Sequence, residues 1–434
     1  MGGLEFLGNR KSVAERLWSY LKVRPKARSR VISVYKWSSR GWARTRGRGR
    51  AGAPKPTSFA SSRAWVELWN QRHEGARWSP AGEDEQLENI PPRNLRGYVD
   101  REYREVQRMV SPRPFVVEVL EGRVVGDQGV VVTPDHKILL DVSFPVGPNR
   151  AYFNANATTF VDKVGDHDFP FADELYKDAM LPAKRVRGTA ALLTSYGGRG
   201  YFHWMFDVIP RLGLLEKAGY TLDEIDYFVI PMRVAGFHFE TLETLGITEE
   251  RLISSFHQRN IVADRVLAPS LTRPTWAVPT WVVEYLQFAF PPLRPSASTQ
   301  SSRLYITRKS TDHGVVSNED RLTSQLRKRG FEPVTMEDFS TREKAWLLGQ
   351  AEAVLSVSGA GLSNVVFCRP GTKVVEIRVR PFPVKEQWAI ANRCALEYYD
   401  VLPAETIGPN GKVEMGGKAS DETIFATLDM AGLT

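Results

Sequence analysis

The amino-acid sequence predicts an α/β protein of layered sheets and helices, and three observations carry that reading. Short apolar, β-rich runs alternate with stretches of helical character through most of the chain. After residue 300 the alternation becomes regular, with short loops and apolar strands, as in parallel βα units covered by helices on both faces. The third observation is residues 353–377: an apolar run (Val354, Leu355, Val357) stops at Ser358-Gly359-Ala360-Gly361-Leu362-Ser363-Asn364, continues to Phe367, turns at Pro370-Gly371 and resumes as Lys373-Val374-Val375-Glu376-Ile377. A buried strand that ends at paired glycines and re-enters as a helix turns unpaired N–H groups outward, where they and the helix dipole attract anions such as a nucleotide diphosphate. Small residues are also what any tight strand-to-helix turn requires, so this element gains meaning only from the rest of the chain.

Taken in order, residues 1–21 carry Leu4, Phe6, Leu7, Val13, Leu17, Trp18 and Leu21 in a loose helical pattern with one apolar side. Residues 22–50 hold eleven Lys or Arg and no acid, so of the net charge of +8 the rest of the chain accounts for about −3. The basic character belongs to this one segment, whose Arg/Gly run at 44–50 and aromatics Tyr35, Trp37 and Trp42 suit an anionic membrane surface or single-stranded nucleic acid, or a solvated tail. Residues 51–62, rich in Pro and Ser, read as a linker. Runs at 115–119, 129–132 and 137–142 have the composition of strands in a meander, and further apolar runs follow at 189–193, 227–230 and 261–267.

Pro291-Pro292-Leu293-Arg294-Pro295-Ser296-Ala297-Ser298 reads as the interdomain linker. Beyond it the pattern predicts a strand at 303–307, a helix at 318–328, a strand at 331–335, a helix at 341–350 and a strand at 353–357. A chain of 434 residues has room for two domains of ordinary size. The expected division is a basic segment and linker at 1–60, an α/β domain at 61–290 and a nucleotide-binding domain at 300–434.

Composition excludes several classes. Two cysteines, Cys368 and Cys394, provide neither a disulfide framework nor a metal cluster and fit a reducing compartment. No apolar run reaches the ~18 residues of a spanning helix, and the start lacks the pattern of a secretory signal. The expected location is therefore cytoplasmic, peripheral at the inner membrane face through residues 1–50. Asn156-Ala157-Thr158 is a glycosylation sequon expected to stay unmodified there.

Four islands hold the chemistry. In the first, residues 197–212, a helix after the glycines would put His203 and Asp207 four apart on one face, a base beside an orienting carboxylate; Pro210 limits that helix. In the second, the strand 303–307 ends in Arg308 and Lys309, at the carboxyl end where ligands of open parallel sheets sit. The third is Asn318-Glu319-Asp320, where acids suit a helix start and Glu319 is placed to accept from a ribose or from Arg308. The fourth is the glycine turn with Glu376.

Together these islands resemble glycosyltransferase family 61, whose members share a His-Trp-x-x-Asp-x-x-Pro-Arg-Leu segment, a Tyr-Ile-Ser-Arg strand end, an Asn-Glu helix start, and a His-Gly-Ala-Gly-Leu-x-Asn turn followed by Pro-Gly and Val-Val-Glu. The matching residues are 203–212, 305–308, Asn318-Glu319, 359–364, Pro370-Gly371 and 374–376, within a resemblance over about residues 112–377. Thr307 stands where the family has Ser and Ser358 where it has His, which bears on donor choice and on activity.

The resemblance implies a GT-B type fold, two Rossmann-like domains facing a cleft, with the irregular basic segment outside it. It implies a hexosyl- or pentosyltransferase that moves a sugar, with inversion, from a nucleotide-sugar donor to a glycan hydroxyl in capsular or other polysaccharide biosynthesis. His203 and Asp207 become the catalytic pair, the imidazole being the better base by its ordinary pKa of ~6.5 against ~3.9 for a carboxylate. Arg308, Lys309, Glu319, Ser358, Gly359, Ala360, Gly361, Leu362, Asn364 and Glu376 become the donor side, and Arg199, Trp204 and Arg211 the acceptor side. No cofactor and no divalent metal is expected, although Asp166-His167-Asp168 has the Asp-x-Asp form that metal-dependent transferases use. No specific nucleic acid is expected as a partner. The reading from another class is a non-catalytic glycan- or nucleic-acid-binding protein on a degenerate transferase fold.

Overall fold

Lys184–Leu192 and Asn260–Pro269 form the centre of a ten-stranded mixed sheet in a computed structural model. The structure describes residues 57–59, 61–97, 99–143, 178–274, 276–296, 301–307, 319–378, 384–402, 405–407, 413–415 and 420–434. The two central strands pair in parallel, Val266 opposite Ala190 and Leu267 opposite Ala191. Tyr227–Ile230 and Leu252–Ser254 extend the parallel part on one side. On the other side Phe115–Leu120 and Arg123–Val125 run antiparallel to Asn260–Pro269 and lead through Val130–Val132 to Lys137–Leu139, the meander expected from residues 115–142. Ala190, Leu192, Val266 and Leu267 are buried because both faces are covered, which is why the parallel strands read as unbroken apolar runs.

One face packs Val117, Val119, Val229 and Val266 against Trp65 and Val66 of the helix Ser62–Asn70. The other packs Val116, Ala191, Phe228 and Leu267 against Leu212, Leu242 and Leu286, from the helices Pro210–Lys217, Gly236–Thr244 and Thr280–Ala289. The stretch 51–62, expected as a linker, in fact contributes structure. Thr57–Phe59 pairs in parallel with Lys137–Leu139, and Ser61 caps the following helix by accepting from the Ala64 N–H at 3.3 Å. Pro and Ser mark turns, but a Ser is equally an N-cap.

The second sheet holds five parallel strands in the order Phe331–Val334, Arg303–Ile306, Ala353–Val357, Lys373–Ile377, Glu397–Val401. In chain order that is 2-1-3-4-5, a doubly wound arrangement whose crossing point falls between Arg303–Ile306 and Ala353–Val357. The helices Glu319–Lys328 and Thr341–Gly349 lie where the apolar periodicity places them, and Ser340 with Glu343 forms a capping box at the second. Leu304, Val354 and Val374 join the same apolar core as the helices of the first sheet.

An early stretch of chain also belongs to the second sheet. The Arg93 N–H donates to the Tyr398 carbonyl at 2.9 Å, and the Arg93 carbonyl accepts from Asp400 at 2.8 Å. Trp388 Nε1 donates to the Ile90 carbonyl at 2.7 Å, and Tyr103 packs edge-on against Trp388 at 4.8 Å. Buried Arg378 bridges Asp400 and Asp100, tying residues 90–103 to the carboxyl end of Lys373–Ile377. No described helix is long and apolar enough to cross a membrane.

Candidate functional site

After Lys184–Leu192 the chain turns at Gly197, whose φ of +70° is in the left-handed region, and enters one helical turn, Tyr201–His203. A π-helical turn, Trp204–Val208, follows before Pro210–Lys217. The sequence suggests a plain α-helix here. Pro210 has no N–H to continue an α-helical ladder, and the Ile209 N–H reaches back to the Trp204 carbonyl at 2.9 Å in the wider π pattern. The Phe206 carbonyl is satisfied by Thr272 Oγ1 at 2.7 Å.

His203 and Asp207 still meet, Nδ1 to Oδ2 at 2.6 Å. Arg273 completes the arrangement, donating Nε to Asp207 Oδ1 at 2.7 Å and a terminal nitrogen to Oδ2 at 3.3 Å, with its guanidinium 4.8 Å over the Phe202 ring. Burial pushes the Asp207 carboxyl up, but the charge of Arg273 and the His203 hydrogen bond outweigh it and hold the group below the usual carboxylate range. An ionised carboxylate only accepts, so Nδ1 of His203 is the donor, and in the neutral imidazole Nε2 carries the lone pair. The His203 ring lies directly over Gly197, where a Cβ would come within 2.6 Å of its Cδ2 and 2.9 Å of its Nε2. Only glycine leaves the imidazole in this place.

His203 stands at the wall of a cavity of about 350 Å³. Its other walls include Asp127, Gln128, Tyr196, Arg199, Met232 and Phe256. Residues 195–199 directly follow Lys184–Leu192, Met232 follows Tyr227–Ile230 and Phe256 follows Leu252–Ser254, so the cavity is at the carboxyl ends of three parallel strands. Arg199 is half-buried here, its guanidinium 5.8 Å over the Phe256 ring. The other two residues expected on the acceptor side lie in the core. Trp204 is fully enclosed and donates Nε1 to Thr241 Oγ1 at 2.9 Å. Arg211 is buried and donates Nε to the Asp207 carbonyl at 3.2 Å; burial pushes its guanidinium down to about 10 despite the nearby Asp207 charge. Both support the turn that carries the pair.

In the second sheet, Ala353–Val357 runs into Ser358 and Gly359 and then a 3-10 helix, Ala360–Phe367, rather than an α-helix. Gly359, Ala360 and Gly361 are the accessible part; Ser358, Leu362 and Asn364 are buried. Gln387 Nε2 holds the Gly359 carbonyl at 3.2 Å, and a Cβ on Gly361 would touch Ile306 at 3.5 Å, which places the turn over the end of Arg303–Ile306. The turn therefore sits at the crossing point of the 2-1-3-4-5 order. Ser358 accompanies the strand end, its N–H donating to the Ile377 carbonyl at 3.0 Å.

Glu376 is enclosed beneath the turn and accepts from the Tyr398 hydroxyl. Burial, with Asp400 nearby, pushes its carboxyl up to about 7. Glu319 is buried at the start of its helix and accepts from Tyr305 Oη at 3.1 Å. Arg308, Lys309 and Asn318 lie outside the described residues, as do Asn156, the stretch 166–168 and all of residues 1–50. Among the described residues no three His, Cys, Asp or Glu side chains are grouped to hold a metal ion.

The glycine-rich island and the glycine turn touch, since the Tyr201 hydroxyl donates to Asn364 Oδ1. Lys344, which the sequence did not single out, is buried with its ammonium 4.7 Å over the Tyr201 ring; burial lowers its pKa while Glu240, Glu337 and Glu343 act against that. Arg273 and Lys344 reach the site from distant parts of the chain. No local spacing marks either of them.

The glycine turn at the crossing of the second sheet is thus linked by hydrogen bond to the segment bearing the His203–Asp207 pair. Residues 201–375 match the family model described as Glycosyltransferase 61, which supports the resemblance read from the motifs. The match supports a glycosyltransferase. The match is shorter than the resemblance read from the motifs: it takes in His203, Asp207 and the glycine turn and leaves Arg199 and Glu376 just outside. No curated protein matches the chain.

Proposed function

We propose that the protein is an inverting transferase that moves a hexosyl or pentosyl group from a nucleotide-sugar to a hydroxyl of a glycan acceptor. The observation that carries this is the Arg273–Asp207–His203 chain, 2.7 Å and 2.6 Å in its two links, ending on an imidazole edge at a cavity wall. In one displacement the acceptor oxygen forms its bond to the anomeric carbon as the bond from that carbon to the leaving diphosphate breaks. The acceptor proton passes to Nε2 of His203, and Asp207 stabilises the imidazolium that results. The diphosphate departs toward the N–H groups of the turn 359–361, at the N-terminus of a 3-10 helix, with Arg308 and Lys309 as the further cations of this half.

In this reading the sheets are the two Rossmann-like halves of a GT-B arrangement, 61–290 on the acceptor side and 300–434 on the donor side. It uses no metal. The basic residues 1–50 hold the enzyme against the cytoplasmic membrane face, where it builds a surface or capsular polysaccharide. The test is calorimetric titration of the full chain with common nucleotide diphosphates and nucleotide-sugars, followed by turnover of any donor that binds. His203→Ala should lower turnover by about three orders of magnitude with donor affinity retained. Absence of binding by every nucleotide-sugar would overturn the reading.

A further inference from the structure

The cavity walled by His203 contains one cation that the described structure leaves without a carboxylate. Arg199 and Arg259 both lie near the Phe256 ring, at 5.8 Å and 5.5 Å. Arg259 is neutralised, Asp178 at 3.0 Å and Asp127 at 3.8 Å standing against it. Asp127 also accepts from Gln128 Nε2 at 3.1 Å, so the one carboxylate on the cavity wall is already engaged. Among the described residues no carboxylate pairs with Arg199, which is half-buried and lines the cavity. A guanidinium in that position presents a planar fork of donors that matches a carboxylate or phosphate group. Gln128 adds a second demand on the ligand, because among the described residues its Oε1 has no hydrogen-bond partner and needs a donor such as a sugar hydroxyl.

The side of the reaction follows from the chemistry. A base has to touch the acceptor hydroxyl, so the cavity that holds His203 is the acceptor's, and the donor's diphosphate belongs at the glycine turn of the other sheet. From these placements we infer that the acceptor sugar is anionic, its charged group gripped by Arg199 while a neighbouring hydroxyl donates to Gln128. The inference rests on the transferase reading and deepens it. The shared chemistry is an acidic sugar, with a uronic carboxylate and a sugar phosphate as the two sources.

The experiment measures binding of three oligosaccharides of equal length to the full chain: one containing hexuronic acid, its carboxyl-reduced neutral counterpart, and one bearing a sugar phosphate. The wild type should bind at least one acidic form roughly tenfold tighter than the neutral form, and whichever acid is favoured names the source. Arg199→Gln should remove that preference, and Arg199→Lys should keep part of it. Equal binding of acidic and neutral forms by the wild type, or a preference undiminished in Arg199→Gln, would overturn the inference. Nucleotide-sugar binding by the same wild-type sample separates the two levels. Donor binding without an acidic preference removes only this inference, whereas no donor binding removes the transferase reading.

Discussion

Arg273 grips both oxygens of Asp207, Nε to Oδ1 at 2.7 Å and a terminal nitrogen to the Oδ2 that His203 also contacts, with its own side chain only 7% exposed. A buried carboxylate facing an uncharged imidazole would otherwise be driven toward its protonated form. Arg273 makes it an anion that can orient His203 and accept the charge that develops there.

Replacing Arg273 by Met should therefore do two things. It leaves a buried charge without its partner, a change that typically costs about 3–5 kcal/mol, read as a lower unfolding free energy in denaturant. It also lets burial raise the Asp207 carboxyl, so the acid limb of the rate profile should move to higher pH. An acid limb at the wild-type pH would show that Arg273 does not set the charge of the pair.

Asp207→Asn keeps the shape but lets the amide donate to Nδ1, favouring the imidazole tautomer with its proton on Nε2. Turnover should fall by roughly two to four orders of magnitude while the donor KM changes little. An equal loss in donor affinity would place Asp207 in binding instead.

Gly197→Ala tests the close approach beneath the imidazole. The new Cβ would sit within 2.6 Å of His203 Cδ2 at a φ of +70°. Stability should fall by about 1–2 kcal/mol, and turnover by more than that loss alone explains. Gly219, also at positive φ (+88°) but with nothing near its Cβ, is the control, in which only stability should change.

Glu376 provides a pH test of the second sheet. Its folded pKa of about 7 stands above the ordinary value of 4.5, so its contribution to stability is complete below 4.5 and is lost as pH rises through 7. The shift corresponds to about 3 kcal/mol by pH 8, to order of magnitude. Glu376→Gln keeps an oxygen for the Tyr398 hydroxyl and cannot ionise. Its melting temperature should overtake that of the wild type between pH 6 and about 8, and parallel curves would refute the assignment.

What could be read from the sequence follows from range. Four of the five strands of the second sheet and the helices at 319–328 and 341–349 were legible because burial on both faces writes apolar runs and helical periodicity into neighbouring residues; Glu397–Val401 and the helices Lys385–Arg393 and Asp421–Met430 were not read from the sequence. His203 and Asp207 were legible because four residues apart is a local spacing, and it tolerated the change from an α to a π turn. Arg273 was not legible, being 66 residues from Asp207 and joined to it only by the folding of the first sheet. Trp204 and Arg211 carried the chemistry of contact residues, but their burial follows from which face of the turn meets the core. The 3-10 form of 360–367 was hidden for a related reason, since Leu362, Val365 and Val366 are set by the apolar core they enter more than by local propensity.

The contact between residues 90–103 and the second sheet makes the two halves of this chain interdependent in a way the division at residue 300 conceals. Asp100 supplies one of two carboxylates to a guanidinium that is 1% exposed, and Ile90 and Tyr103 cover Trp388. A fragment beginning after residue 296 would be born with that arginine missing one of its two carboxylate partners, the indole N–H unanswered and an apolar wall open to water. The second sheet is thus finished by chain made well before it, the Ile90–Trp388 contact spanning 298 residues, and a nucleotide-binding experiment on an isolated C-terminal fragment would be measuring an unfinished sheet.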